Sequence, residues 1–384
     1  MYLTQRLMGV SIYALCTICF CLLILKVKGL KSHLCIYCLL LALMGFFYVP
    51  LNGSDLGRVQ LAMHALGNEN GIELIKEMCN SSTPLALLYY YLISFLGDDR
   101  MLPFINAILT YGLCFSLLVA CRKKFNSSKR DIAIVLFFFM SRGLLMMTIA
   151  NIRTMLSVSI VAFSIFKIMV EGKSFIKYII CMLIGALIHN VGMLTTMIFV
   201  GFYIIKGAKG RNKILTFCEG LLLISSGFIY GRFIILAAIN KGITYLEYSQ
   251  NGTNFFYFWE FLLSIIVIVF SIWAICKYRK HTKEKNFEGK NVYFVERKKY
   301  VAFIEFQLLI AWLALILLFI EFNSGFRLSW LLTILDMPML LIIFEDDIWM
   351  GYNSSNFKSI LILISLGMLF VACARGDLCS LKFS

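Results

Sequence analysis

The sequence predicts an all-α polytopic membrane protein, a single integral domain over residues 1–384 with about a dozen spans (10 to 13). Three observations predict it. Of the 384 residues, 60% are hydrophobic and only 15% are charged, too little polar surface to cover a soluble domain of that size. Apolar runs of about 17–25 residues recur along the chain, the length that crosses a hydrocarbon core of about 30 Å. The net charge of +15 is gathered in short patches between those runs. That is the pattern of loops held at an anionic inner leaflet, not of a surface for nucleic acid.

The elements follow in order. Spans are expected near 8–25, 34–50, 101–121, 131–150, 154–170, 178–190, 191–205, 214–230, 257–276, 300–320, 328–344 and 357–374. The first, Met8–Leu25, lacks a positive n-region and a small-residue cleavage site, so it reads as a permanent span. After the second comes an outer segment over about 51–100 with two amphipathic stretches, Leu56–Leu66 and Ile72–Cys79. Its end, Pro84–Gly97, is too short to cross and is expected at the interface. The spans at 178–190 and 191–205 are short and run together, so a tilt, a kink or a re-entrant turn is expected. Two more outer segments follow: 231–256, with Tyr245, Tyr248, Phe255 and Phe256, and the short Glu321–Arg327. No fixed internal period is visible, which weighs against an inverted-repeat transporter.

Lysine and arginine set the orientation. With both termini outside, the inner loops are 26–33, 122–130, 171–177, 206–213, 277–299 and 345–356, the densest being the basic loop 277–299. These loops hold about two thirds of all Lys and Arg, and reversing the topology would reverse that bias.

Charges inside the bilayer or at its outer rim are costly, so they mark candidate function. Arg142 lies well inside the fourth span. Arg153 opens the fifth, His189 closes the sixth, and Arg327 precedes the eleventh. Asp55 and Arg58 begin the first outer segment. All but Arg142 map to one face, where converging cations suit a phosphate or pyrophosphate. Each has a plainer reading. Arg153 and Arg327 could snorkel to headgroups, Arg142 could pair with Asp336, and His189 could be a satisfied interfacial residue. His64 reads as sitting on an exposed helix face, and Glu219, Glu260 and Glu305 as structural partners. The aromatic segment reads as an interface belt, although its rings would also stack on sugars.

Most of the thirteen cysteines fall in apolar runs, as reduced small hydrophobes. The pairs Cys16/Cys19 and Cys35/Cys38 lack the turn residues and outer donors of a metal site, so no metal and no cofactor is expected. There is no Walker loop, His-Glu-x-x-His or Gly-x-Ser-x-Gly. The Asn-x-Ser triplets at Asn80, Asn126 and Asn353, the Asn-x-Thr at Asn251, and Arg375-Gly376-Asp377 have no supporting context.

Five short patterns recur in a telling order. They are Asp55-Leu56-Gly57-Arg58; the Pro-aromatic stretch Pro84–Ile93; Asn151-Ile152-Arg153 opening a central span; Ala186-Leu187-Ile188-His189 closing a short helix; and Asn323–Arg327 near a late span start. In these the sequence resembles the Wzy/EpsG group of bacterial polysaccharide polymerases, over most of residues 45–335. The resemblance implies processive glycosyl transfer on the outer face of the plasma membrane. The growing glycan would pass from undecaprenyl pyrophosphate to the next lipid-linked unit of O-antigen, capsule or exopolysaccharide. The partners implied are that lipid-linked oligosaccharide and the bilayer, with a chain-length regulator and a flippase of the same pathway also admitted. A pyrophosphate leaving group needs cationic stabilisation, and arginine stays protonated where other bases would not. Arg142, Arg153, Arg327 and Arg58 are the candidates for that charge, and His189 or Asp55 for the base. The rivals are a flippase of lipid-linked sugars, a transferase adding one sugar, and a non-catalytic scaffold. The single-sugar enzymes usually carry an acidic pair in the first outer loop, where this chain has Asp55 alone and Asp98-Asp99 only much later.

Overall fold

A computed structural model describes residues 2–50, 55–207, 254–284, 291–345 and 354–374. The span expected at 214–230, the aromatic segment up to 253, Glu219, residues 285–290 of the basic loop, 346–353 and Arg375-Gly376-Asp377 lie outside the described residues. Within them the secondary structure is helical. The order is α1 (Tyr2–Leu23), α2 (Leu30–Phe46), α3 (Asp55–Gly67), α4 (Gly71–Asn80), α5 (Pro84–Ser94), α6 (Met101–Phe125), α7 (Lys129–Ser141) and α8 (Leu144–Ala150). Then come α9 (Ile152–Met169), α10 (Phe175–Ile188), α11 (Asn190–Gly207), α12 (Asn254–Glu284), α13 (Asn291–Ile320), α14 (Phe322–Glu345) and α15 (Ser354–Ala374).

Every expected span within the described residues overlaps a helix, but the one expected as continuous over 131–150 is split between α7 and α8. Six are long and apolar enough to cross a membrane: α6, α9, α14 and the apolar parts of α12, α13 and α15. The pair α7 and α8, bent by 52°, makes a seventh as one broken span. α2, α5, α10, α11 and the apolar part of α1 are shorter. The protein is therefore a multi-pass helical membrane protein. The break between α7 and α8 has a local cause: Gly143 takes a left-handed conformation, φ +70°, which a side chain would resist. The third outer segment differs from expectation. Helix resumes at Phe322, so the connection expected over 321–327 narrows to Glu321, whose carboxylate caps α14 by accepting from the Ser324 N–H at 2.7 Å.

α14 is mostly apolar and buried along most of its length, as expected of a helix at the centre of a bundle. It packs against α6, α7, α9, α12 and α13. The bundle has two unlike ends. At one, Phe125 stacks edge-on against Tyr300 at 5.5 Å, Lys299 lies against Gly172, and Lys358 pairs with Asp131 at 2.7 Å. The cation-rich ends of α6, α7, α9, α13 and α15 thus gather together. At the other, α3, α4 and α5 form a cap resting on α8 and α10. α4 holds its own start with a capping box between Asn70 and Glu73.

Candidate functional site

α9 and α10 are joined by a short turn and run antiparallel, and one hydrogen bond fixes their register. The Ser157 hydroxyl donates to the Gly185 carbonyl at 2.7 Å. The backbone N–H of His189 bonds to the same oxygen at 3.2 Å. Arg153 lies one turn before Ser157 on α9, and His189 one turn beyond Gly185, so the register brings the two level at the same end of the hairpin. Close packing leaves no slack: a Cβ on Gly192 of α11 would collide with the Ser157 hydroxyl.

His189 itself breaks the chain between α10 and α11. Its backbone is extended, φ −155° and ψ 142°, and its Nδ1 accepts the Val191 N–H at 3.1 Å. With Nδ1 accepting, the proton of the neutral ring sits on Nε2. The expected kink at this junction is therefore present, and it fixes which ring nitrogen can donate.

Arg153 is half-buried and lies beside the buried phenol of Tyr90, on α5. α5 has 11 residues, about 16 Å of helix, too short to cross. Burial pushes the Tyr90 phenol up to about 12, against the pull of the Arg153 guanidinium. Tyr90 was not singled out by the sequence, although it lies in the Pro84–Ile93 stretch that was.

Arg142 sits at the elbow between α7 and α8, with its side chain wholly enclosed. It pairs with Glu260 of α12 at 2.6 Å and donates to Ser264 and Ser329, each at 3.2 Å. The Trp330 indole N–H donates to the same Glu260 oxygen at 3.1 Å. This corrects the expected pairing with Asp336. Asp336 lies seven residues beyond Ser329 on α14, about 10 Å further along the helix. There it accepts from the Ser271 hydroxyl at 2.9 and 3.0 Å and from the Gln307 amide. The structural reading of Glu260 holds.

Arg327 is half-buried near the start of α14, two residues before Ser329, with its guanidinium 5.8 Å from the Phe326 ring centre. Asp55 and Arg58 pair with each other on the exposed first turn of α3. The cap is tied to the start of α6 by Gln60, which donates to the Asp99 carbonyl at 3.2 Å, and by His64, which pairs with Asp99 at 2.7 Å. His64 is exposed, as expected.

The structure thus brings Arg153, His189 and Tyr90 to one level. It sets Arg142 in an enclosed ion pair beside the helix that carries Arg327, and leaves Asp55 with Arg58 on the cap. A guanidinium, an imidazole N–H and a phenol O–H gathered at one level form a donor set for anionic oxygens.

The EpsG family model matches residues 73–378, most of the chain, which includes Tyr90, Arg142, Arg153, His189, Glu260 and Arg327 but not Asp55, Arg58, Gln60 or His64. No curated protein and no solved structure matches it.

Proposed function

The chain belongs to the EpsG family, and on that premise we propose that it polymerises lipid-linked oligosaccharide repeat units of O-antigen, capsule or exopolysaccharide. Family membership supports a polysaccharide-polymerase type of role. The reaction proposed here is glycosyl transfer from undecaprenyl pyrophosphate, on the outer face of the plasma membrane. The acceptor is the next lipid-linked unit. An acceptor hydroxyl attacks the anomeric carbon of the growing glycan, and the bond from that carbon to the pyrophosphate oxygen breaks. The pyrophosphate leaves with the bonding electrons, and the hydroxyl proton passes to a carboxylate.

Each residue has a role in this reading. Arg153 and Arg327 take up the charge developing on the pyrophosphate. His189 donates its Nε2–H to a leaving-group oxygen. Asp55 receives the proton, held in place by Arg58. Arg142 is assigned to structure, because Glu260 already balances its charge. The observation that carries the reading is the register of α9 against α10, which sets Arg153 and His189 at one level at the end of the hairpin away from the basic end. The positive-inside rule puts that basic end in the cytoplasm and the site outside, with both termini on the outer side of one integral domain. A chain-length regulator and a flippase are the proposed pathway partners.

The test is the glycan ladder of cells lacking the gene, complemented with wild type or variants. A deletion that leaves single repeat units, restored by wild type but not by Arg153→Ala, supports the reading. Loss of even the single unit on deletion places the protein before polymerisation and overturns it. His189→Gln separates the two roles for the imidazole. Its amide can donate as Nε2–H does, so about a tenth of the activity should survive, whereas a general base would leave none.

A further inference from the structure

The face formed by α2 and α6 carries a groove that the proposed reaction does not use. It encloses about 520 Å³ and is lined by Leu34, Cys38 and Leu39 of α2 and by Ile108, Gly112 and Phe115 of α6. Its rim residues Cys35, Leu39 and Ser116 are exposed, so it opens away from the core. Residue 112 has no side chain and faces that open space: a Cβ there would meet nothing within 4 Å.

The two ends of the groove differ in charge. α2 begins where α6 ends, so Lys31 in the first turn of one helix and Lys123 in the last turn of the other line the same mouth. The start of α2 adds to the field there, since Gly29 gives it no side-chain cap and the first amides of a helix have no partner within it. Arg122 and Lys124 flank Lys123. From Lys123 to Ile108 the groove follows fifteen residues of α6, about 22 Å of helix, longer than one leaflet's share of a hydrocarbon core of about 30 Å.

We propose that this groove holds one anionic diacyl phospholipid, with an acyl chain lying along Gly112 and the phosphate between Lys31 and Lys123. The apolar floor is long enough to take a whole lipid tail, and the cationic mouth is complementary to an anionic headgroup. A zwitterionic lipid offers that mouth no net charge. A lipid exchanging freely around the protein would need neither the groove nor the two lysines. This inference is independent of the polymerase reading.

Native mass spectrometry of the full chain in detergent tests it, with phosphatidylglycerol, phosphatidylcholine and a polyprenyl phosphate as the added lipids. The wild type should keep one phosphatidylglycerol about tenfold more tightly than phosphatidylcholine. Lys31→Gln with Lys123→Gln should bring the two to the same affinity. Gly112→Leu, which fills the groove on a helical residue, should lose both lipids while the melting temperature shows the protein folded. Should that variant not fold, the lysine pair decides alone. Equal affinity for the two phospholipids in the wild type overturns the proposal, as does retention of phosphatidylglycerol by Gly112→Leu or by the lysine pair. Retention of the polyprenyl phosphate alone overturns it too.

Discussion

Arg142 and Arg153 are the same side chain, eleven residues apart, in opposite situations. Arg142 is enclosed, with a carboxylate, two hydroxyls and an indole organised around the pair it makes with Glu260. Arg153 is half-buried at the start of α9 and meets a phenol, Tyr90. A buried guanidinium must be neutralised to be tolerated at all, and one that is neutralised has little charge left for a ligand. A guanidinium at the rim beside a neutral group keeps its charge and stays open to a ligand. The difference teaches that position in the bilayer alone does not identify a functional arginine; its partner does.

The largest expected effect breaks the first half of that comparison. Arg142→Met leaves Glu260 enclosed without its counter-charge, and loss of one partner of a buried pair costs about 3–5 kcal/mol. The variant should fall sharply in membrane abundance and melting temperature, and Arg142→Met with Glu260→Met should recover most of both. A single variant as abundant and as stable as wild type would show the pair to be dispensable.

Next comes the second half. Arg153→Ala should abolish the glycan ladder while the protein stays at normal level and melts within about 1 kcal/mol of wild type, as for a partly exposed side chain. Arg153→Lys should restore less than about a tenth of the ladder, since an ammonium cannot fork onto two phosphate oxygens. Full polymerisation by either variant would erase the contrast.

A smaller effect sharpens the geometry. Ser157→Ala removes one of two donors on the Gly185 carbonyl, and a lost hydrogen bond of this kind costs about 0.5–1.5 kcal/mol. Polymerisation should fall about tenfold, more than so small a loss of stability explains, because the level of His189 against Arg153 rests on that bond. The drop should appear in the rate at saturating substrate.

The smallest effect on stability lies on the cap. Arg58 and Asp55 form an exposed pair, and such pairs contribute about 0.2–1 kcal/mol. Arg58→Gln should barely move the melting temperature and should lower polymerisation about threefold through looser placement of Asp55. Asp55→Asn should remove polymerisation at unchanged stability.

The sequence by itself determined the helices and the class of protein. Hydrophobic run length is a local property, and in lipid a backbone with no water to bond must close its own hydrogen bonds, so an apolar run of sufficient length is a helix. The amphipathic stretches that became α3 and α4, and the break at His189, were legible for the same reason: each is written in consecutive residues. The elbow at Gly143 was not legible, since 131–150 reads as one span, but Arg142 was legible as a charge in the bilayer. Its partner was not. Glu260 and Asp336 are both acids within apolar runs, and the choice between them depends on how far along α12 and α14 each lies from the elbow. Tyr90 and Arg153 meet because α5 folds back onto the α9–α10 hairpin, and no pattern in either segment records that contact. The tautomer of His189 follows from the turn into α11, which points the Val191 N–H at Nδ1. Which charges are balanced inside the bundle and which are left for a ligand is a property of packing between distant segments, and only the tertiary structure decided it.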